Sequence, residues 1–170
     1  MFQTLISSST VGVGGAASIT FSSIPGTYTD LTLVLSARAT STTASMTIAF
    51  NGSSTSFSGR YLQGTGAAAS STTSTTLIGN SSVSTDTANT FGNLQLMIPN
   101  YAGAANKNFS VEVVSENNGA TAFEQAFTSV WANTAAITSI TLNLANFAQN
   151  TTAYLYGTLK GSGGATVTTA

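Results

Sequence analysis

The sequence predicts an all-β protein, a two-sheet antiparallel β-sandwich with jelly-roll topology. Runs of β-branched and aromatic residues alternate with polar residues at period two, which is typical of strands that bury one face. Gly, Pro and Asn punctuate these runs at regular intervals, as in sandwiches. Ala-rich stretches such as residues 67–69 lack the spacing of an amphipathic helix. We therefore expect about nine or ten strands and no significant helix.

Residues 108–131 carry the clearest strand pattern of the chain. Two alternating runs, at residues 109–114 and 122–131, flank the tripeptide Asn117-Asn118-Gly119. Asn-Gly between alternating apolar runs is a strong hairpin signal. We expect one face of this hairpin to form the central framework of the core, through Phe109, Val111, Val113, Phe123 and Phe127.

The same pattern predicts the register of this hairpin. A two-residue loop at Asn118-Gly119 would set apolar residues opposite polar ones, so a three-residue loop with Gly119 in the left-handed conformation is favoured. That register pairs Phe109 with Phe127, and Val113 with Phe123. It also places Glu112 directly opposite Glu124 on the outer face, at a mild like-charge cost.

The remaining strands follow from the same alternation. No composition shift divides the chain, so residues 1–170 are predicted to form a single domain. Residues 64–89 are interpreted as a long Ser/Thr-rich loop with a short edge strand near residues 75–78, and residues 161–170 as a polar tail. Further strands are predicted at residues 2–9, 17–24, 30–39, 45–50, 59–64, 91–98, 137–145 and 151–159.

The composition is unusually poor in charge. Charged residues make up 5% of the chain and the net charge is −1, while 24 Ser and 30 Thr are present. An apolar content of 42% favours a packed core over disorder. A neutral, hydroxyl-rich surface gives a free monomer little colloidal protection, so we expect a protein that functions within an assembly.

The same composition argues against two classes of partner. The four cationic residues are scattered and form no basic patch, so a nucleic-acid partner is not expected. No run approaches the roughly 20 apolar residues of a membrane span, so no membrane partner is expected. The lack of Cys and of a signal-peptide pattern at the N-terminus is compatible with cytoplasmic synthesis.

Catalytic chemistry has few candidate residues. The chain contains no His and no Cys, which removes His-based triads, thiol nucleophiles and ordinary zinc sites. A Ser-Lys dyad through Lys107 or Lys160 is formally open. Glycoside hydrolysis needs paired carboxylates. The simpler interpretation of the carboxylates in this chain is that they are solvated side chains on strand faces. The carboxylate candidates are Asp30, Asp86, Glu112, Glu116 and Glu124.

Two other features have a structural and a binding interpretation. The Gly-rich stretches at residues 12–15 and 161–164 precede no predicted helix, so they are turns rather than phosphate loops. Aromatic residues could form a sugar-binding platform, although core or rim positions are their commoner role. The platform candidates are Tyr61, Tyr101, Trp131, Tyr154 and Tyr156.

From the lack of His and Cys and the simpler roles of the other candidates, we predict that the protein is no enzyme and has no catalytic, cofactor-binding or metal residues.

The C-terminal part of the chain carries a resemblance to a known group. Residues 137–161 read ITSITLNLANFAQNTTAYLYGTLKG, with Asn146-Phe147 in the turn and Leu155-Tyr156-Gly157 ending the last strand. This pattern resembles the C-terminal signature of a broad group of tailed-bacteriophage virion proteins. The N-terminal residues 4–38, Phe50-Asn51-Gly52 and Arg60-Tyr61-Leu62 agree with it. Residues 64–89 are not covered in any specific way.

The resemblance implies a β-sandwich component of a virion. A short chain that is almost entirely one sandwich is most similar to capsid decoration, or cement, proteins, which sit as homotrimers on the outer capsid surface and bind the major capsid protein. Longer relatives carry such a sandwich in tail fibres or spikes, which leaves a receptor-binding module for host glycans as the alternative. In the first case we expect the contacts at residues 1–13, at residues 64–89 and after Lys160.

Overall fold

The computed structural model describes residues 3–116 and 122–159. Within these ranges the chain forms twelve β-strands in two antiparallel sheets and no helix, which confirms the predicted β-sandwich. In chain order the strands are β1 (Gln3–Thr10), β2 (Ala16–Phe21), β3 (Asp30–Ala37), β4 (Ser45–Phe50), β5 (Phe57–Gly64), β6 (Ala69–Ser74), β7 (Leu77–Asn80), β8 (Gly92–Pro99), β9 (Lys107–Ser115), β10 (Phe123–Trp131), β11 (Ile140–Phe147) and β12 (Thr152–Thr158).

The two sheets differ in size. One has eight strands in the order β1-β12-β3-β8-β9-β10-β5-β6, and the other has four in the order β2-β11-β4-β7. Strands β1 to β4 alternate between the two sheets along the chain, as do β10 to β12. The jelly-roll assignment remains a prediction.

The core lies between the inner faces of the two sheets. Alternate residues of β3, β8 and β9 are fully buried, because each of these strands turns one face to the opposite sheet. An aromatic cluster joins the sheets, since Phe50 of β4 packs its ring 5.4 Å from Phe57, 5.3 Å from Phe109 and 5.5 Å from Trp131. Edge-on contacts of this kind add to the burial of large apolar rings.

The predicted register of the β9–β10 pair is wrong by two residues. Phe127 pairs with Val111, and Glu112 lies opposite Ala126 rather than Glu124. A shift of two residues keeps every side chain on its face, so alternation cannot detect it. The observed register also separates the two Glu residues that the prediction had paired. Both are exposed on the outer face, as expected.

Other predictions for this region have mixed outcomes. Residues 109, 111, 113 and 127 are buried as predicted, whereas Phe123 is only half-buried at the start of its strand. The Asn117-Asn118-Gly119 turn lies outside the described residues, as does the polar tail at residues 161–170. Residues 64–89 are not one long loop with a single edge strand, because they contain both β6 and β7.

Candidate interaction surface

The five carboxylates do not form a single cluster, although Glu112 and Glu124 line one groove and Glu116 and Glu124 line another. Glu112 and Glu124 are exposed on neighbouring strands β9 and β10. Asp30 sits at the start of β3, where its Oδ1 accepts a hydrogen bond from the backbone N–H of Asn100 at 2.9 Å. Asp86 accepts one from the N–H of Val83 at 2.8 Å in the segment after β7. Asp30 and Asp86 therefore organise turns.

Lys107 is committed to the structure. Its side chain is 1% exposed, and its ammonium donates to the carbonyl oxygens of Gly103 at 2.7 Å, of Thr134 at 3.4 Å and of Ala105. Burial lowers the pKa of Lys107. Since these bonds go to backbone carbonyls on either side of β9 and β10, the ammonium ties together two loops at one end of the sandwich. Lys160 lies outside the described residues.

The five aromatic candidates do not form one platform. Tyr101 and Trp131 are fully buried, and the Tyr101 hydroxyl donates to the carbonyl of Pro25. Burial raises the pKa of Tyr101. Tyr61 stacks on Phe127 with ring centroids 4.7 Å apart. Tyr154 and Tyr156 lie on the outer face of β12, with ring centroids 6.5 Å apart.

The outer face of the eight-stranded sheet is the surface that stands out. Six of the eight large apolar side chains that are exposed in the described residues lie on it: Leu5, Val34, Leu62, Met97, Val114 and Tyr154. Across the strands the register sets Tyr154 beside Val34, and Tyr156 beside both Leu5 and Thr32. Exposed apolar side chains gathered on one face are typical of an interaction surface.

This face divides into two halves of different character. The first, which we name the apolar half, consists of the outward residues of β1, β12, β3 and β8. Its outward polar residues are Gln, Asn, Ser and Thr, and a single charge, Asp30, lies at its border. Gln3 lies across it, donating from Nε2 to Oγ1 of Thr32 at 3.0 Å.

The second, which we name the grooved half, consists of the outward residues of β9, β10, β5 and β6. It carries three charges, Glu112, Glu124 and Arg60. An open groove of 740 Å³ borders both Glu residues and Leu62. A second groove of 460 Å³ is lined by Arg60 together with Asn108, Thr73 and Thr128.

The edge strand β6 borders these grooves. Every residue of Ala69–Ser74 is exposed or half-exposed, and among the described strands β6 pairs with β5 alone. Its residues are mostly Ser and Thr, so the strand carries none of the charges or prolines that usually protect a sheet edge. Sequence reasoning missed this strand, because a strand that is solvated on both faces shows no alternation.

Arg38 organises the segment that follows β7, and sequence reasoning missed this role as well. Its guanidinium donates to the carbonyl oxygens of residues 84, 86, 87 and 90, at distances of 2.9 to 3.3 Å. No signal in the sequence marks such an arrangement, since backbone carbonyls accompany every residue.

Gln125 is a third organising side chain. It is 2% exposed on the inner face of β10. Its Oε1 accepts from the N–H of Asn80 at 2.9 Å, and its Nε2 donates to Oε1 of Gln63 at 3.0 Å. Gln125 therefore joins β7 of the small sheet to β10 and β5 of the large one. The available signal in the sequence was a Gln at a position that the alternation of this strand places on the inward, mostly apolar face.

The described residues offer little for metal binding or for membrane insertion by a helix. They contain no group of three or more carboxylate, His or Cys side chains placed to hold a metal ion. Nothing in that part of the chain forms a helix with the length and apolar character needed to cross a bilayer.

Comparison of the chain with protein-family models, with curated proteins and with solved structures finds no match.

Proposed function

We propose that the protein is a structural component of a phage virion, a capsid decoration protein that binds the assembled outer shell as a homotrimer and stabilises it. The observation that carries this proposal is the outer face of the eight-stranded sheet, which exposes apolar side chains among neutral polar ones. The resemblance of residues 137–161 to phage virion proteins supplies the class of assembly.

The low charge agrees with a role at permanent contacts. Interfaces made of apolar, hydroxyl and amide groups lose little binding free energy when salt screens charges. A protein that binds only the assembled shell stabilises that shell by mass action. We therefore propose that the major capsid protein is the partner, and that residues 1–13, residues 64–89 and the chain after Lys160 contribute contacts.

Purified particles allow a direct test. An antibody against this chain is expected to label the whole head surface, and particles stripped of the protein are expected to rupture at a lower temperature than untreated ones. Adding back the purified protein should restore the rupture temperature, in low and in high salt alike. Label confined to the tail tip, or an unchanged rupture temperature, would overturn the proposal.

The groove beside Arg60 supports a second candidate, a receptor-binding module for host glycans. An exposed guanidinium among the hydroxyl groups of Thr73 and Thr128 and the amide of Asn108 suits an acidic saccharide, since both partners can form charge-assisted and neutral hydrogen bonds. Under this candidate the protein binds acidic polysaccharide, and Arg60→Gln weakens that binding. A glycan array that shows no binding would reject it.

A further inference from the structure

We propose that the apolar half of the outer sheet face is the surface through which copies of this chain associate with one another. The inference deepens the proposed homotrimer by naming its interface, and it rests on that proposal only for the number of copies. The occupant is a second copy of this chain, with the same face turned towards a common symmetry axis.

The exposed side chains of this half form one continuous patch. Each of its four strands contributes one large apolar residue, with exposed fractions of 51% for Leu5, 38% for Val34, 39% for Met97 and 36% for Tyr154. Tyr156 lies opposite Leu5 and next to Tyr154, Tyr154 lies opposite Val34, and Met97 lies opposite Thr32 on the strand that carries Val34. Adjacent strands bring such neighbours within about 5 Å of one another at Cβ.

The polar groups of the patch favour a self-complementary contact. Ser8, Ser36, Asn93, Gln95 and Thr152 each carry a hydroxyl or an amide, which both donates and accepts hydrogen bonds. A face of such groups can therefore meet its own copy without burying a like-charged pair. The grooved half is less suited to self-association, because it carries two acidic side chains, Glu112 and Glu124, against one basic side chain, Arg60, so each copy would bury a net negative charge.

The size of the patch fits an interface of moderate strength. Four strands about 4.8 Å apart, each about 25 Å long, cover roughly 500 Å² in projection. Side-chain relief raises the accessible area above that value, and a standard interface buries about 800 Å² of each partner. We therefore expect association that depends on concentration.

The test measures the mass of the full chain in solution by light scattering and sedimentation over a range of concentrations. The wild type is expected to form a closed oligomer. The triple variant Val34→Thr, Met97→Gln, Tyr154→Ser is expected to be monomeric at the same concentrations. Ser8→Glu provides an independent disruption, because it places a charge opposite Tyr154 at an exposed position that should not disturb folding.

The matched control is Leu62→Ser with Val114→Thr in the grooved half, at positions that are 62% and 42% exposed. It is expected to keep the wild-type mass. Circular dichroism and the fluorescence of the single tryptophan, Trp131, verify the fold of each variant. A monomeric wild type, an oligomer that survives both disruptions, or a control that dissociates as readily as the triple variant would overturn the inference.

These outcomes separate the inference from the proposed function. An oligomer that dissociates through the apolar half but does not bind shells leaves the inference standing and removes the decoration role. A wild-type protein that is monomeric yet raises the rupture temperature of particles removes the inference and leaves the decoration role standing. A mass of three chains supports the homotrimer, and any other closed number corrects the copy number alone.

Discussion

Arg38 Nη1 donates a hydrogen bond to the carbonyl oxygen of Thr90 at 2.9 Å, across 52 residues of the chain. The same guanidinium reaches three more carbonyls, those of Ser84, Asp86 and Thr87. One cation just after β3 thus shapes the connection between β7 and β8. The planar fork of arginine suits this task, since it directs five N–H groups outwards at fixed angles.

Replacing Arg38 by Met is therefore expected to lower the free energy of unfolding by about 2 kcal/mol, because several charge-assisted hydrogen bonds are lost together. Arg38→Lys should recover only part of this loss, since an ammonium cannot reach all four carbonyls. Urea unfolding measures both values. Arg60→Met, at an exposed position of β5, is the control and should change stability by no more than about 0.5 kcal/mol. Equal losses at the two positions would contradict the role given to Arg38.

Asn51 provides the second prediction. At the turn after β4 it adopts a positive φ of 52°, its Oδ1 accepts from the N–H groups of Thr138 and Ser139 at 2.8 and 3.1 Å, and its Nδ2 donates to the carbonyl of Ala136 at 2.8 Å. Asn51→Ala should cost about 3 kcal/mol, because it removes these bonds and strains the backbone. Asn51→Asp, which keeps the acceptors, should cost less.

Thermal and urea denaturation measure the Asn51 effect. Asn108→Ala is a suitable control, since Asn108 is exposed on β9. The order expected for loss of stability is Asn51→Ala, then Asn51→Asp, then Asn108→Ala. If Asn51→Asp destabilises as much as Asn51→Ala, the accepting bonds do not carry the effect.

The sequence predicts those parts of the fold that depend on alternation. Strands β8 and β9 each bury one face and expose the other, and β3 buries every inward residue, so the pattern reports these strands directly. Register is harder, because pairing Glu112 with Ala126 or with Glu124 leaves the same side chains inside. The hydrogen bonds that β10 makes with β5, and β9 with β8, contribute to the choice of register. These strand pairings are set by tertiary structure.

The candidate surface was less accessible to prediction. Leu5, Val34, Met97 and Tyr154 are far apart in sequence, and only the order β1-β12-β3-β8 brings them together. The burial of Lys107 was likewise hidden, since its partners are carbonyls of two loops. That the protein functions within an assembly stays a prediction, which rests on the scarcity of charge in the sequence and not on topology.

Lys107 yields a prediction that depends on pH. At neutral pH, Lys107→Met should lower the free energy of unfolding by about 2 kcal/mol, because it leaves buried carbonyls without a donor. Burial lowers the pKa of Lys107 in the folded chain, whereas the unfolded chain keeps a value of about 10.5. Between these two pKa values the unfolded state binds more protons than the folded state. The free energy of unfolding of the wild type should therefore increase relative to that of Lys107→Met as pH rises.

The measurement compares urea unfolding of the wild type and Lys107→Met from pH 7 to pH 10. Tyr101, whose pKa is raised by burial, is present in both proteins, so its own alkaline effect cancels in the difference. Arg60→Met serves again as the control and should show a difference that does not vary with pH. A difference that shrinks as pH rises would contradict the assigned direction of the Lys107 pKa.

Ser129 provides the last prediction, in which a substitution is expected to stabilise the protein. Its Oγ is buried on the inner face of β10 and has no hydrogen-bond partner among the described residues. An unpaired buried hydroxyl has lost its hydration without compensation, so Ser129→Ala should raise the free energy of unfolding by about 1 kcal/mol. Ser110→Ala, at an exposed position on β9, should leave stability within about 0.5 kcal/mol of the wild type. The emission of buried Trp131, two residues away, follows both unfolding transitions. A loss of stability in Ser129→Ala would contradict the prediction and would show that the hydroxyl contributes to packing although it makes no hydrogen bond.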